Sequence, residues 1–196
     1  MIILGITGSI GSGKSHFCKM LTKQHGVRLL SSDAEVHKLY AEDKTLFEQV
    51  KKLCPQAIVN GKIDRRTLGE VVFNYPAKRQ QLEDIVYPLL AKGRDKFIMK
   101  AVKDKIKILV LEIPLLFENN LDVICDKTVT LYCAPSLEKK RVMKRPGMTE
   151  EKYWNILATQ LPTAEKIKHS DYHFNTGRSK EFIARAARKL YLELLY

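Results

Sequence analysis

Eight consecutive residues carry the clearest chemistry in this chain. Gly8-Ser9-Ile10-Gly11-Ser12-Gly13-Lys14-Ser15 matches the pattern G-x-x-x-x-G-K-[ST]. Glycines let a backbone curl until successive N–H groups converge on one centre, and such a loop grips phosphate oxygens. A helix starting at the end of the loop adds the partial positive charge of its N-terminus. Gly8, Gly11, Ser12, Gly13, Lys14 and Ser15 therefore form an expected nucleoside triphosphate site. Lys14 reaches the β- and γ-phosphates, and the Ser15 hydroxyl is suited to Mg2+. The string names the ligand class and leaves the reaction open.

Transfer of a phosphoryl group also needs a carboxylate that orients the attacking hydroxyl and takes its proton. Asp33 follows the second apolar run, Val27 to Leu30, and functional groups of open α/β sheets collect at strand carboxyl ends. An Asp there equally suits the N-cap of the next helix, and the residues alone leave both roles open. Glu112 ends the third apolar run and can hold Mg2+ through water or serve as an ion-paired carboxylate. Lys139, Lys140, Arg141, Lys144 and Arg145 crowd a helix expected over Ser136 to Lys144, ahead of the Pro146-Gly147 break. Helix, break and helix make a lid, and Arg141 and Arg145, spaced i, i+4, put two bidentate clamps on one face. A solvated basic helix accounts for most of the lysines.

Three classes use such a loop. A GTPase switch carries D-x-x-G and N-K-x-D, and neither string occurs. A motor usually has a longer chain and a strand ending in adjacent carboxylates, whereas here the third run ends in one, Glu112. A kinase acting on a small molecule is favoured. Its rivals are a nucleoside or nucleotide kinase and a nucleotide-dependent, RNA-associated binding protein.

The elements that must position these groups read as strand alternating with helix. Met1 to Ile6, Val27 to Leu30, Ile106 to Leu111 and Thr128 to Cys133 are short apolar runs of buried-strand type, with Tyr172 to Phe174 a weak fifth. Helices are expected over Lys14 to Gln24, from the Asp64 cap through Phe73, from Pro76 onward, from Thr149 toward Gln160, and over Lys180 to Leu195. On the last, Phe182, Ala186, Leu190 and Leu194 form the apolar stripe. Buried strands alternating with helices predict an α/β fold with a parallel sheet covered on both faces. From Ala34 to Lys105 almost no strand signal appears, and this stretch reads as a helical insertion without a Gly/Ser/Pro-rich border.

With 45% hydrophobic and 29% charged residues among 196, the chain has enough apolar content for a folded core and too much for disorder. The first uncharged run is too short to span a membrane and has no basic segment ahead of it, so neither a membrane nor a secretory route is expected. Cys18, Cys54, Cys125 and Cys133 form no C-x-x-C pair, which points to reduced thiols and a cytoplasmic setting. The net charge of +12 suggests an anionic partner. Aromatic residues are not interleaved with the basic ones, which argues against nucleic acid as that partner.

The ordered set of motifs resembles the dephospho-coenzyme A kinase family over essentially the whole chain. It comprises Gly5 to Ser15, Ser32-Asp33-Ala34, Asp64-Arg65-Arg66-Thr67-Leu68 with Val72-Phe73, Tyr87-Pro88-Leu89-Leu90, Pro114-Leu115-Leu116-Phe117-Glu118, Arg141 and Arg145, Gln160, and Asn175-x-Gly177. The resemblance implies a P-loop kinase fold whose five-stranded parallel core comprises residues 1–33, 106–136 and 160–196. It also implies a helical acceptor domain over 34–105 and a lid over 137–159. It implies transfer of the ATP γ-phosphoryl group to the 3′-hydroxyl of the dephospho-coenzyme A ribose, with Mg2+. Asp33 would be the base, and Lys14 and Arg141 would stabilise charge. His16, Arg145, Asn175 and Gly177 would join the loop in binding ATP, and Arg65, Tyr87 and Pro88 would line the acceptor side. Four positions depart from the family pattern: His16 stands in place of Thr, Tyr87 in place of His, Glu112 in place of Asp, and Pro146 in place of an acidic residue.

Overall fold

The five apolar runs become the five strands of one parallel sheet in the computed structural model, which describes residues 1–196. The strands are β1 (Ile2–Thr7), β2 (Val27–Ser31), β5 (Ile108–Glu112), β6 (Lys127–Tyr132) and β7 (Tyr172–Asn175), in the order β2-β5-β1-β6-β7. Every residue of β5 is buried, as expected for a strand covered on both faces. Register places Glu112 opposite both Ile6 of β1 and Ser31 of β2, so the carboxyl ends of three neighbouring strands line up.

Contacts divide the chain into two units, residues 1–31 with 101–196, and residues 32–100. In the first unit the sheet is joined by α1 (Lys14–Leu21), α6 (Pro135–Val142), α7 (Glu150–Ala158), α8 (Thr163–His169) and α9 (Lys180–Leu195). Leu4, Ile6, Phe17, Leu21, Val110, Leu131 and Leu190 share its core. Residues 137–159 fall within this unit. The α1 helix stops at Leu21, three residues short of the expected Gln24, because Thr22 to Gln24 turn back on the chain. On α9 the buried stripe is Ile183, Ala187, Leu190 and Leu194, while Phe182 is 43% exposed. A strict four-residue step drifts around a helix of 3.6 residues per turn, and the mixed step of four and three stays on one face.

The second unit holds α2 (Ser32–Glu42), α3 (Lys44–Leu53), α4 (Arg65–Asn74) and most of α5 (Pro76–Lys103) around Leu46, Val50, Leu68, Leu82 and Val86. It also contains a two-stranded antiparallel hairpin, β3 (Ile58–Val59) with β4 (Lys62–Ile63), which corrects the strand-free reading of this stretch. Asn60 and Gly61 turn the hairpin with φ of 49° and 70°. Both strands are two residues long, too short to show a period of two. No helix is long and apolar enough to cross a membrane, and all four cysteines are free thiols.

Candidate active site

The phosphate loop begins where the central strand ends. Gly8, Gly11 and Gly13 all take positive φ. At Gly8 a Cβ would run into the Leu131 carbonyl oxygen, and at Gly11 it would stand 2.7 Å from the Glu138 carbonyl oxygen. Only glycine meets both the conformation and the close approach at these positions.

Four successive loop residues are held from outside by side chains of the C-terminal third. Ser9 Oγ donates to the Glu138 carboxylate. The Ile10 N–H donates to Gln160 Oε1 at 3.0 Å, and Arg141 Nη1 donates to the Gly11 carbonyl at 3.2 Å. Thr176 Oγ1 donates to the Ser12 carbonyl. With its exterior fixed, the loop holds its curl before any ligand arrives, so less ordering remains for binding. Inside, Lys14 Nζ donates to the carbonyls of Gly8 at 2.8 Å and Ser9 at 3.0 Å. Ser15 Oγ donates to Glu112 Oε1 at 2.7 Å, and Glu112 is 6% exposed. A hydroxyl and a carboxylate are hard oxygen donors, and no cluster of three or more His, Cys, Asp or Glu side chains competes for a metal. That set fits Mg2+, which takes one or two protein oxygens and completes its shell with phosphates and water.

The remaining expected residues fall as follows. Asp33 is exposed in the first turn of α2, which starts at Ser32 directly after β2, so it is not the N-cap. The His16 N–H bonds the Gly13 carbonyl at 3.2 Å, and its Nε2 is buried without a partner. Arg141 also donates to the Thr176 carbonyl at 3.0 Å. Arg145 lies exposed beyond the end of α6 at Val142, so the expected shared helical face with Arg141 does not form. The helix stops at Val142, two residues short of the expected Lys144; Pro146 has no N–H to give the Val142 carbonyl, and its ring would clash with that carbonyl in a continued helix. Asn175 Oδ1 accepts from the Gly177 N–H at 2.8 Å and shapes the turn that presents Thr176.

Within the helical unit, Asp64 caps α4 by accepting from the Thr67 N–H at 2.7 Å, as expected. Arg65, the next residue, lies 2.8 Å from His37 Nε2 through Nη1 and 5.7 Å from the Tyr40 ring centroid. These three line a cleft of about 760 Å3 with Lys44 and Lys62. Burial pushes the Tyr40 phenol upward while the Arg65 charge opposes it. Tyr87 and Pro88 are exposed on α5, with Pro88 inside the helix.

Sequence reasoning missed Glu138 and Thr176. Glu138 stands three residues before Arg141 on α6, a spacing that puts both on one side of the helix. Thr176 had no signal beyond lying between Asn175 and Gly177.

A parallel sheet with a phosphate loop after its central strand and helices inserted between strands defines a P-loop kinase. Shikimate kinase from Acinetobacter baumannii shares the fold, with a TM-score of 0.53 at 13% identity over 100% of this chain and 93% of that one. The family model described as dephospho-CoA kinase matches residues 2–181. The dephospho-CoA kinase of Agrobacterium fabrum (strain C58) is 41% identical over 196 residues, covering 100% of this chain and 97% of that protein. The crystal structure of TT1252 from Thermus thermophilus superposes with a TM-score of 0.83 at 32% identity, covering 98% and 97% of the two chains. The chain belongs to the dephospho-CoA kinase family, whose members use ATP in the final step of coenzyme A synthesis.

Proposed function

We propose that this enzyme moves the terminal phosphoryl group of ATP onto the 3′-hydroxyl of the dephospho-CoA ribose with Asp33 as the base. The observation that carries the reading is the Lys14 ammonium folded into the loop beside the Ser15–Glu112 pair at 2.7 Å. Phosphate oxygens replace the Gly8 and Ser9 carbonyls as partners of Lys14, while the loop N–H groups from Gly8 to His16 hold the chain of phosphates. Asp33 takes the acceptor proton as the new O–P bond forms and the bridging bond to the β-phosphate breaks. Lys14 and Arg141 bear the charge that develops on the transferred group and on the leaving ADP. Ser15 and Glu112 would hold Mg2+, which supplies charge neutralisation at the β- and γ-phosphates when bound.

Residues 34–105 serve as the acceptor domain, with Arg65 offering a charge for a phosphate and Tyr87 and Pro88 lining that side. Residues 137–159 act as the lid, bringing Arg145 to the nucleotide, and Asn175 and Gly177 border the same nucleotide. The enzyme works in the cytoplasm, a setting that suits four free thiols, and its partners are small anions, not nucleic acid or membrane. The test is coupled ADP release with Mg-ATP and dephospho-CoA, nucleosides or nucleoside monophosphates as acceptors. Turnover should be confined to dephospho-CoA. Equal or faster turnover on monophosphates would overturn the reading.

A further inference from the structure

Behind the phosphate loop lies an ion pair with no place in the chemistry above. Lys166, on α8, is 0% exposed, and its ammonium stands 2.8 Å from Glu118 Oε1, whose side chain is 12% exposed. The same ammonium donates to the Pro114 carbonyl at 2.8 Å and lies 3.5 Å from Thr7 Oγ1. Thr7 itself donates to the Pro114 carbonyl at 3.0 Å. Glu118 Oε1 also accepts from the Leu161 N–H at 2.7 Å.

Each partner marks a segment that the site depends on. Thr7 is the last residue of β1, immediately before Gly8. Pro114 is two residues past Glu112. Leu161 follows Gln160, whose amide oxygen holds the Ile10 N–H of the loop. One buried charge thus ties the mouth of the loop, the turn behind Glu112 and the strap that anchors the loop from outside. A buried ion pair is weak evidence of a role in stability, because apolar residues of similar volume often replace one at no loss. The arrangement also carries a cost: Glu118 Oε2 is buried without a hydrogen-bond partner, and burial pushes the Lys166 ammonium below the ordinary lysine range against the pull of Glu118.

We propose that Lys166, acting through Glu118, is a positioning residue for phosphoryl transfer that fixes Thr7, the Pro114 turn and Leu161 relative to one another. The inference rests on the loop and Glu112 forming the phosphate side of the site. It touches no reacting atom. Its effect is geometric, and misplacement of a reacting group by about 1 Å can cost about 10²-fold in rate.

The wild-type enzyme is first shown to phosphorylate dephospho-CoA; failure there overturns the proposed function and not this inference. Lys166→Met with Glu118→Leu then removes both charges together, and Glu118→Gln keeps an acceptor for Leu161 while removing the negative charge. Melting temperature, ATP affinity by calorimetry without acceptor, kcat and the KM for dephospho-CoA are measured for each. The double variant should melt within a few degrees of wild type, bind ATP more weakly, and lose at least about tenfold in kcat at little-changed acceptor KM. Should the double variant not fold, Lys166→Met with Glu118→Gln, which leaves no unpaired buried charge and keeps an acceptor for Leu161, carries the test with the same split between kcat and KM. Wild-type kcat and ATP affinity in a folded variant would overturn the proposal, as would a kcat loss that merely follows the melting temperature.

Discussion

The proposed chemistry turns on two residues, Lys14 and Asp33, and they make separable predictions. Lys14 is already curled into the loop through the Gly8 and Ser9 carbonyls, so its ammonium needs little reorganisation to meet a phosphate. Lys14→Ala should cut kcat at least about 10²-fold, the usual cost of removing one preorganised donor. Steady-state kinetics check this, and near-normal kcat would show that the ammonium is not used in the transition state. Asp33 makes no cap, being inside the first turn of α2 and exposed. Asp33→Asn should therefore leave the melting temperature in place yet lower kcat by roughly 10²-fold, because an amide cannot take a proton. Full activity in that variant would leave positioning alone to activate the hydroxyl. At this scale the loop was legible in the sequence, since spacing and residue type are the whole of its signal. The burial of Lys166 was not. In Thr163-Ala164-Glu165-Lys166-Ile167-Lys168-His169 it looks like any solvated lysine, and only the fold brings Glu118 and Pro114 to it.

Among the elements, α6 does more than the sequence suggested, because it braces the phosphate loop through Glu138 and Arg141 at once. Burial pushes the Glu138 carboxyl above the ordinary carboxylate range, with the Ser9 hydroxyl and then the Lys14 charge opposing. A carboxyl raised in the folded state contributes stability that is fully present below its unfolded pKa of about 4.3 and is lost as pH rises through the folded value. Gln at this position can still accept from Ser9 and has no such loss. The melting temperature of Glu138→Gln, taken relative to wild type, should rise as pH goes from about 4 to about 8. Thermal melts across that range check it, and a pH-independent difference would contradict the assignment.

The elements also show where sequence patterns stop working. Strands with continuous apolar runs were readable because burial on both faces removes polar residues from them. The hairpin at Ile58 to Ile63 shows no periodicity, and its one sequence signal is the Asn60-Gly61 turn, flanked by Val59 on one side and the charged Lys62 on the other. The first two positions of the α9 stripe lie one residue later than i, i+4 steps predict, because the single three-residue step from Ala187 to Leu190 keeps Ile183 and Ala187 on the face of Leu190.

For the whole molecule, the +12 charge and two anionic substrates predict a dependence on salt. Attraction beyond a Debye length of about 10 Å at 0.1 M is screened, so kcat/KM should fall as ionic strength rises while kcat stays level. Initial rates over a salt series decide the matter, and a flat kcat/KM would mean that the positive charge has no part in capture. The class of the molecule was legible because its phosphate loop is local in sequence. Its particular chemistry needed the ordered motifs along the full length, since the loop is common to switches, motors and kinases. Transfer to one specific hydroxyl is read from the product itself. Dephospho-CoA is incubated with Mg-ATP, and phosphorus NMR and mass spectrometry follow the reaction to completion. One new phosphomonoester, on the ribose 3′-oxygen, should appear for each ADP formed. ADP without a new phosphomonoester, or a phosphate on any other oxygen, would contradict it.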